Sequence, residues 1–177
     1  SEMLTNLSLT KRDYILITLH RASNTDNVIE LKKIMESLVD ISKKIKCVFP
    51  IHPRTKTNLI RFNIYEDYLN VDNLNIIEPL GYIDFMCLQK NAKLIVTDSG
   101  GIQEESSYFG VPCMTMRDNT ERPVTITSGT NKLMGSDFSN LANEIIKFNY
   151  NKTDDIYLWD GKASERIFDI LQEENII

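Results

Sequence analysis

No apolar run in this 177-residue chain approaches the roughly 20 residues that a bilayer-spanning helix requires. Cysteine is scarce. Cys47, Cys87 and Cys113 are odd in number and widely spaced, which fits neither a disulfide framework nor a zinc site. Each lies in or beside an apolar run, so buried free thiols in a reducing compartment are expected. Basic residues are outnumbered, and the net charge of −5 gives no global field for nucleic acid or an anionic membrane. Any phosphate ligand must therefore be held by local groups. The opening stretch SEMLTNLSLTKRDY carries no signal-peptide profile, and a cytoplasmic location is the expectation. The glycine-rich signatures G-x-G-x-x-G and G-x-x-x-x-G-K-S/T are both missing.

What remains is an ordinary globular composition, 42% apolar and 25% charged, in a length suited to one compact domain over residues 1–177. Apolar runs predict strands at 14–18, 47–51, 74–77, 94–97 and 112–116. Pro50 argues mildly against a central place for the second. Helical periodicity predicts helices over 27–45, where Val28, Leu31, Ile34, Met35, Leu38, Val39 and Ile41 form a stripe, and over 55–62, 83–89 and 101–109. Asp137 is the expected cap of a further helix reaching Phe148, with Leu141, Ile145 and Ile146 buried; a last helix spans 163–171. Strand and helix alternate throughout. That pattern predicts an α/β fold, a doubly wound parallel sheet with ligands bound outside the carboxyl ends of its strands.

The polar residues gather at those ends. His20 and Arg21 follow the first strand, His52 to Arg54 the second, Gly81 to Phe85 the third, Asp98 to Gly101 the fourth and Arg117 to Arg122 the fifth. The stretch from Leu94 to Arg122, LIVTDSGGIQEESSYFGVPCMTMRDNTER, is the most telling. Its strand delivers Ser99, Gly100 and Gly101 to a helix N-terminus, where free N–H groups and the helix dipole favour an anion. Arg117 and Arg122 return towards the same mouth, able to grip a phosphate in a bidentate way. Glu105, four positions beyond Gly101, suits the paired hydroxyls of a ribose. Phe85 would line a base pocket, and His20 would donate to a phosphate or ribose oxygen. The expected ligand is a nucleotide or sugar nucleotide.

Five ordered motifs carry a resemblance. They are TLHRASN (18–24), DSGGIQEE (98–105), MRDNTERP (116–123), GTNKL (129–133) and DGKASERI (160–167). Together they resemble the non-hydrolysing UDP-N-acetylglucosamine 2-epimerase family, over nearly the whole chain. The resemblance implies a Rossmann-like domain corresponding to the C-terminal, UDP-binding half of a GT-B fold, with its N-terminal partner domain absent from this sequence. It implies that Ser99, Gly100 and Gly101 hold a diphosphate, that Glu105 binds ribose, and that Phe85 lies against uracil. His20, Arg21 and Arg122 would face the diphosphate and sugar, with His20 the candidate catalytic group. No cofactor enters this expectation, and Asp98 and Glu105 lack the neighbours of a metal cage. The implied partner is a UDP-sugar, with a homodimer possible at full length and no nucleic acid or membrane.

Two departures stand out. Family members usually carry Glu where Ser23 and Val124 stand here. The changes point to a looser pair of loops or to another UDP-linked acetamido sugar. Retention of the 98–105 and 117–122 segments favours the non-hydrolysing type. A UDP-binding module without catalysis and the donor half of a GT-B glycosyltransferase stand as alternatives; the RDNTERP and GTNKL segments argue against the second.

Overall fold

Alternating burial builds the centre of this protein. In YILIT, Tyr14 and Leu16 pack into one apolar cluster while Ile15 and Ile17 enter another, as the two-residue period of a strand requires. The computed structural model describes residues 2–135, 141–148 and 156–176. In chain order the elements are α1 (Met3–Asn6), β1 (Tyr14–Thr18), α2 (Ala22–Thr25), α3 (Val28–Ser42), β2 (Lys46–Pro50), α4 (Pro53–Arg61), α5 (Glu66–Leu69) and β3 (Leu74–Ile77). Then follow α6 (Tyr82–Asn91), β4 (Leu94–Thr97), α7 (Gly100–Phe109), β5 (Cys113–Thr115), α8 (Val124–Thr127), β6 (Asn131–Leu133), α9 (Leu141–Lys147) and α10 (Ala163–Glu173).

The six strands form one sheet in the order β3-β2-β1-β4-β5-β6, every pair parallel. The chain winds outward from β1 to β3, returns past β1, and winds the other way from β4 to β6. This is the expected doubly wound, Rossmann-like α/β sheet, and its winding reverses between β1 and β4. On one face α3 and α9 cover Ile15, Ile17, Cys47 and Phe49; on the other, Leu88 of α6 and Ile102 of α7 cover Tyr14, Leu16 and Val48. Parallel pairing puts the loops after all strands on one edge, so the five polar loops do share an edge.

Several local expectations need correcting. Val28 is 40% exposed, because its position directly after the cap points it away from the stripe of Leu31, Ile34, Met35, Leu38 and Ile41. Asn27 caps α3, its side chain accepting from Ile29 N and Glu30 N. Pro50 does lie in an interior strand. It is tolerated as the last residue of β2, paired with Ile77 beyond the recorded ladder to β1, which ends at Val48. Cys87 is half-buried rather than buried, while Cys47 and Cys113 are enclosed; burial pushes their thiols up to about 12 and about 11. Strand β6 and the short helices α1, α2, α5 and α8 have no counterpart in the periodicity analysis. Asp137 and the side chain of Ile146 lie outside the described residues. No described helix is long and apolar enough to cross a membrane.

Candidate functional site

Asp98 closes the crevice where the winding reverses. It follows β4 directly, is fully buried, and accepts from His20 N (3.1 and 3.0 Å to its two oxygens), Arg21 N (2.9 Å) and Asn24 Nδ2 (3.0 Å). His20 Nδ1 lies 3.0 Å from its Oδ1. Burial alone would raise the Asp98 pKa. The bonds from the His20 side chain, Arg21 N, Asn24 and His20 N outweigh it and hold the carboxyl below its usual range. Arg21 Nε donates to the Asp98 carbonyl, and Asn24 Nδ2 also donates to Met116 O beyond β5. One carboxylate thus locks the loop after β1 to the end of β4, and Asn24 extends the lock to the end of β5.

The glycine turn comes next. Ser99 is the N-cap of α7 with extended backbone (φ −83°, ψ 135°), and no side chain caps the helix. Ser99 N is occupied by Thr97 Oγ1 at 3.0 Å. The N–H groups of the first turn, starting at Gly100 and Gly101, thus receive no side-chain cap, with the positive end of the helix dipole behind them. Arg122 lies across this terminus. A Cβ added to Gly100 would come within 2.7 Å of Arg122 Nη1 and 3.1 Å of its Cζ. A guanidinium over the positive end of a helix is electrostatically adverse until an anion joins it. Glu104 now fills that role in part, its Oε2 2.7 Å from Arg122 Nε, although the contact is not aligned as a hydrogen bond.

The other expected phosphate ligand, Arg117, is already engaged. It is nine-tenths buried and forms a bidentate pair with Glu121, Nη1 to Oε2 at 3.1 Å and Nη2 to Oε1 at 2.7 Å. The Arg117 bond holds the Glu121 carboxyl down to about 2. Arg117 braces its loop, and Arg122 is the arginine that reaches the turn.

Glu105 accepts from Gln89 Nε2 at 2.9 Å, which ties α7 to α6. With Glu104 it lines a groove of about 510 Å3 together with Tyr82, Met86, Tyr108, Phe109 and Trp159. Phe85 is half-buried at the start of α6 against the cluster around Tyr14 and Leu16. His20 and His52 are ring neighbours with centroids 5.3 Å apart, and His52 Nδ1 accepts from Arg54 N. Burial first, then His20, lowers the His52 pKa. Among the described residues no three His, Cys, Asp or Glu side chains gather to hold a metal ion. The sequence put Asp98 on the crevice edge without giving it a role, and did not mark Asn24 or Gln89 as site builders. Asp98 had left a signal, since the residue between strand and turn at the reversal point must face both loops.

The profile of the UDP-N-acetylglucosamine 2-epimerase family matches residues 1–172. The chain belongs to that family. A UDP-N-acetylglucosamine 2-epimerase of Methanocaldococcus jannaschii is 46% identical over 164 residues, 90% of this chain and 44% of the relative. A crystal structure of the epimerase from that organism, in complex with UDP-GlcNAc and UDP, superposes with a TM-score of 0.84 at 41% identity, covering 98% of this chain and 49% of that one. A Pseudomonas aeruginosa relative, 38% identical over 162 residues (89% of this chain, 44% of the relative), is a UDP-2,3-diacetamido-2,3-dideoxy-D-glucuronate 2-epimerase. The chain spans about half the length of the curated 2-epimerases it matches.

Proposed function

We propose that this chain is the UDP-holding half of a sugar-nucleotide 2-epimerase. The observation that carries the reading is the convergence of a guanidinium and an uncapped helix N-terminus at Gly100, a pair of positive poles that a diphosphate would satisfy together. In this reading Ser99, Gly100 and Gly101 receive the diphosphate through backbone N–H groups and Arg122 grips it from above. Glu105, oriented by Gln89, accepts from the ribose hydroxyls, and Phe85 borders the uracil. His20, held by Asp98, and Arg21 face the sugar side of the diphosphate.

The chemistry proposed for the full-length form is inversion at C2 of UDP-N-acetylglucosamine. A base removes the C2 proton, the C1–O bond to UDP breaks with its electron pair leaving on the diphosphate, and a C1=C2 double bond forms. UDP then adds back at C1 while a proton is delivered to the other face of C2, giving UDP-N-acetylmannosamine. Charge develops on the departing diphosphate, and fixed donors aimed at it lower that barrier most. This chain supplies those donors.

Calorimetric titration with UDP, UMP and ADP tests the site. UDP should bind, UMP and ADP more weakly. Arg122→Ala should lower UDP affinity about ten- to a hundredfold, the scale of one charged hydrogen-bonding contact. Equal binding of UDP by Arg122→Ala would reject the placement of the diphosphate.

A second sugar is favoured by one observation. Ser23 is exposed on a polar hollow of about 580 Å3, beside Arg21 and Arg117, where the family's usual Glu would add a negative charge. Its absence leaves more room and a more cationic wall for a substituted or acidic acetamido sugar, the kind named for the Pseudomonas relative.

A further inference from the structure

Arg122 acts through its guanidinium, yet a network one layer beneath decides where its backbone stands. Gln103, fully buried in α7, spans that layer with a single amide. Its Nε2 donates to Ser99 O, the N-cap carbonyl of the phosphate turn, at 3.2 Å. Its Oε1 accepts from Thr120 Oγ1 at 2.6 Å and from Asn131 Nδ2 at 3.0 Å. Thr120 Oγ1, having given its proton to Gln103, accepts from Arg122 N at 3.1 Å. The carbonyl of Arg122 is held as well, by Thr125 Oγ1 at 2.8 Å, and Thr125 Oγ1 itself accepts from Asn131 Nδ2 at 3.2 Å.

The direction of every bond is fixed. The Ser99 carbonyl can only accept, so the Gln103 amide must turn its NH2 towards it and its oxygen towards Thr120 and Asn131. The Asn131 NH2 therefore faces Gln103, and its Oδ1 accepts from Thr115 Oγ1 at 2.6 Å. Buried networks whose members are all satisfied specify a single arrangement, because each alternative leaves a donor or acceptor unpaired.

We propose that Thr120 and Gln103 are positioning residues that register Arg122 over the α7 N-terminus, coupling the arginine loop to the glycine turn. The inference rests on the diphosphate reading of that turn. The hydroxyl of Thr120 is the group that joins the two segments. Gln103 Oε1 keeps the Asn131 Nδ2 donor without Thr120, so the effect of losing that hydroxyl passes through Arg122.

The test is chemical-shift titration of the 177-residue chain with UDP and with uridine, which lacks phosphate. The variants are Thr120→Val, Thr120→Ser, Arg122→Ala and the Thr120→Val/Arg122→Ala pair. Thr120→Val should weaken UDP on the order of tenfold, the scale of one buried hydrogen bond, and leave uridine unchanged. Thr120→Ser should restore UDP binding. In the Arg122→Ala background Thr120→Val should cost nothing further, since coupled residues are not additive. An equal loss for UDP and uridine, or a full extra loss in the Arg122→Ala background, would reduce Thr120 to a general structural role and overturn the inference. If Arg122→Ala weakens UDP and Thr120→Val does not, the inference alone fails. If neither change matters, or the parent shows no shift with millimolar UDP, the diphosphate reading fails and the inference falls with it.

Discussion

Gly100 is glycine because Arg122 occupies the space that a side chain would take. The atoms a methyl would meet, Nη1 at 2.7 Å and Cζ at 3.1 Å, are the far end of a flexible side chain. Gly100→Ala should therefore swing the guanidinium away at little cost to the fold, because helix formation itself favours alanine over glycine. UDP affinity is expected to drop about tenfold, within the range for one charged hydrogen bond, while the urea midpoint stays the same or rises. Titration and urea unfolding on the same sample check both halves, and a stability loss with intact UDP binding would contradict the argument. Gly129 is a different case at the same scale. A Cβ there would meet Thr125 O at 2.5 Å and Thr125 Cα at 2.7 Å, which is backbone and cannot yield. That close approach explains a glycine in GTNKL without any ligand.

Between elements, Asp98 adds a side-chain tie across the reversal of the sheet, joining the end of β4 to the β1–α2 loop beyond the β1–β4 ladder. Its carboxyl is held below the ordinary value of 3.8, so folding favours the ionised form. The stabilisation is complete above pH 3.8 and is lost as pH falls through the lower, folded value. Asp98→Asn should cost about 2 kcal/mol at pH 7, on the scale of charged hydrogen bonds. That deficit should shrink as both proteins are unfolded by urea at successively lower pH. A deficit independent of pH down to the acid transition would show that charge is not what Asp98 supplies. Elements also mark the limit of the sequence reading. The strands β1 to β5 and the helices α3, α4, α6, α7 and α9 were legible because burial sets apolar runs in the strands and an apolar stripe on the helices. Gly110, in the left-handed region at φ 65°, marked the end of α7. Three-residue β6 and the four-residue helices are too short to show a period, and tertiary contacts hold them instead. Ser99 to Gly101 were legible as a turn from strand to helix, with Gly100 required by the space Arg122 fills and not, as at Gly110, by a left-handed φ. Gln103 and Gln89 were not, because a buried amide has no pattern of its own until its partners, 17 and 16 residues away in the chain, are brought to it.

At the scale of the whole molecule, most of the described carboxylates at the crevice edge are already bound. Epimerisation needs a proton taken from one face of C2 and another delivered to the opposite face. Of the described carboxylates around the crevice, Asp98 is buried and tied to His20, Arg21 and Asn24, Glu104 faces Arg122, Glu105 holds Gln89, Glu121 is bound to Arg117 and Glu30 to Lys33. Asp118 is exposed on the hollow beside Ser23. His20 and His52 are adjacent, so they address one side of a bound sugar, and His52 spends Nδ1 on its own helix cap. Helix α10 leaves an apolar face uncovered. Ile167, Phe168 and Ile170 are each more than half exposed, and the helix has no buried residue. Half of the matched relatives' length has no counterpart here. The chain should thus bind UDP without turning over a UDP-sugar. Proton NMR of the anomeric signals, with UDP-N-acetylglucosamine at millimolar concentration in D2O, checks this directly. The expected spectrum shows no UDP-N-acetylmannosamine, no free UDP and no loss of the C2 proton to solvent deuterium. Exchange at C2 without epimer would mean that a base of this chain removes the proton and that the second face is not served. Appearance of the epimer itself would mean that both faces are served by residues of this chain, and the assignment of acid–base chemistry would have to move onto them.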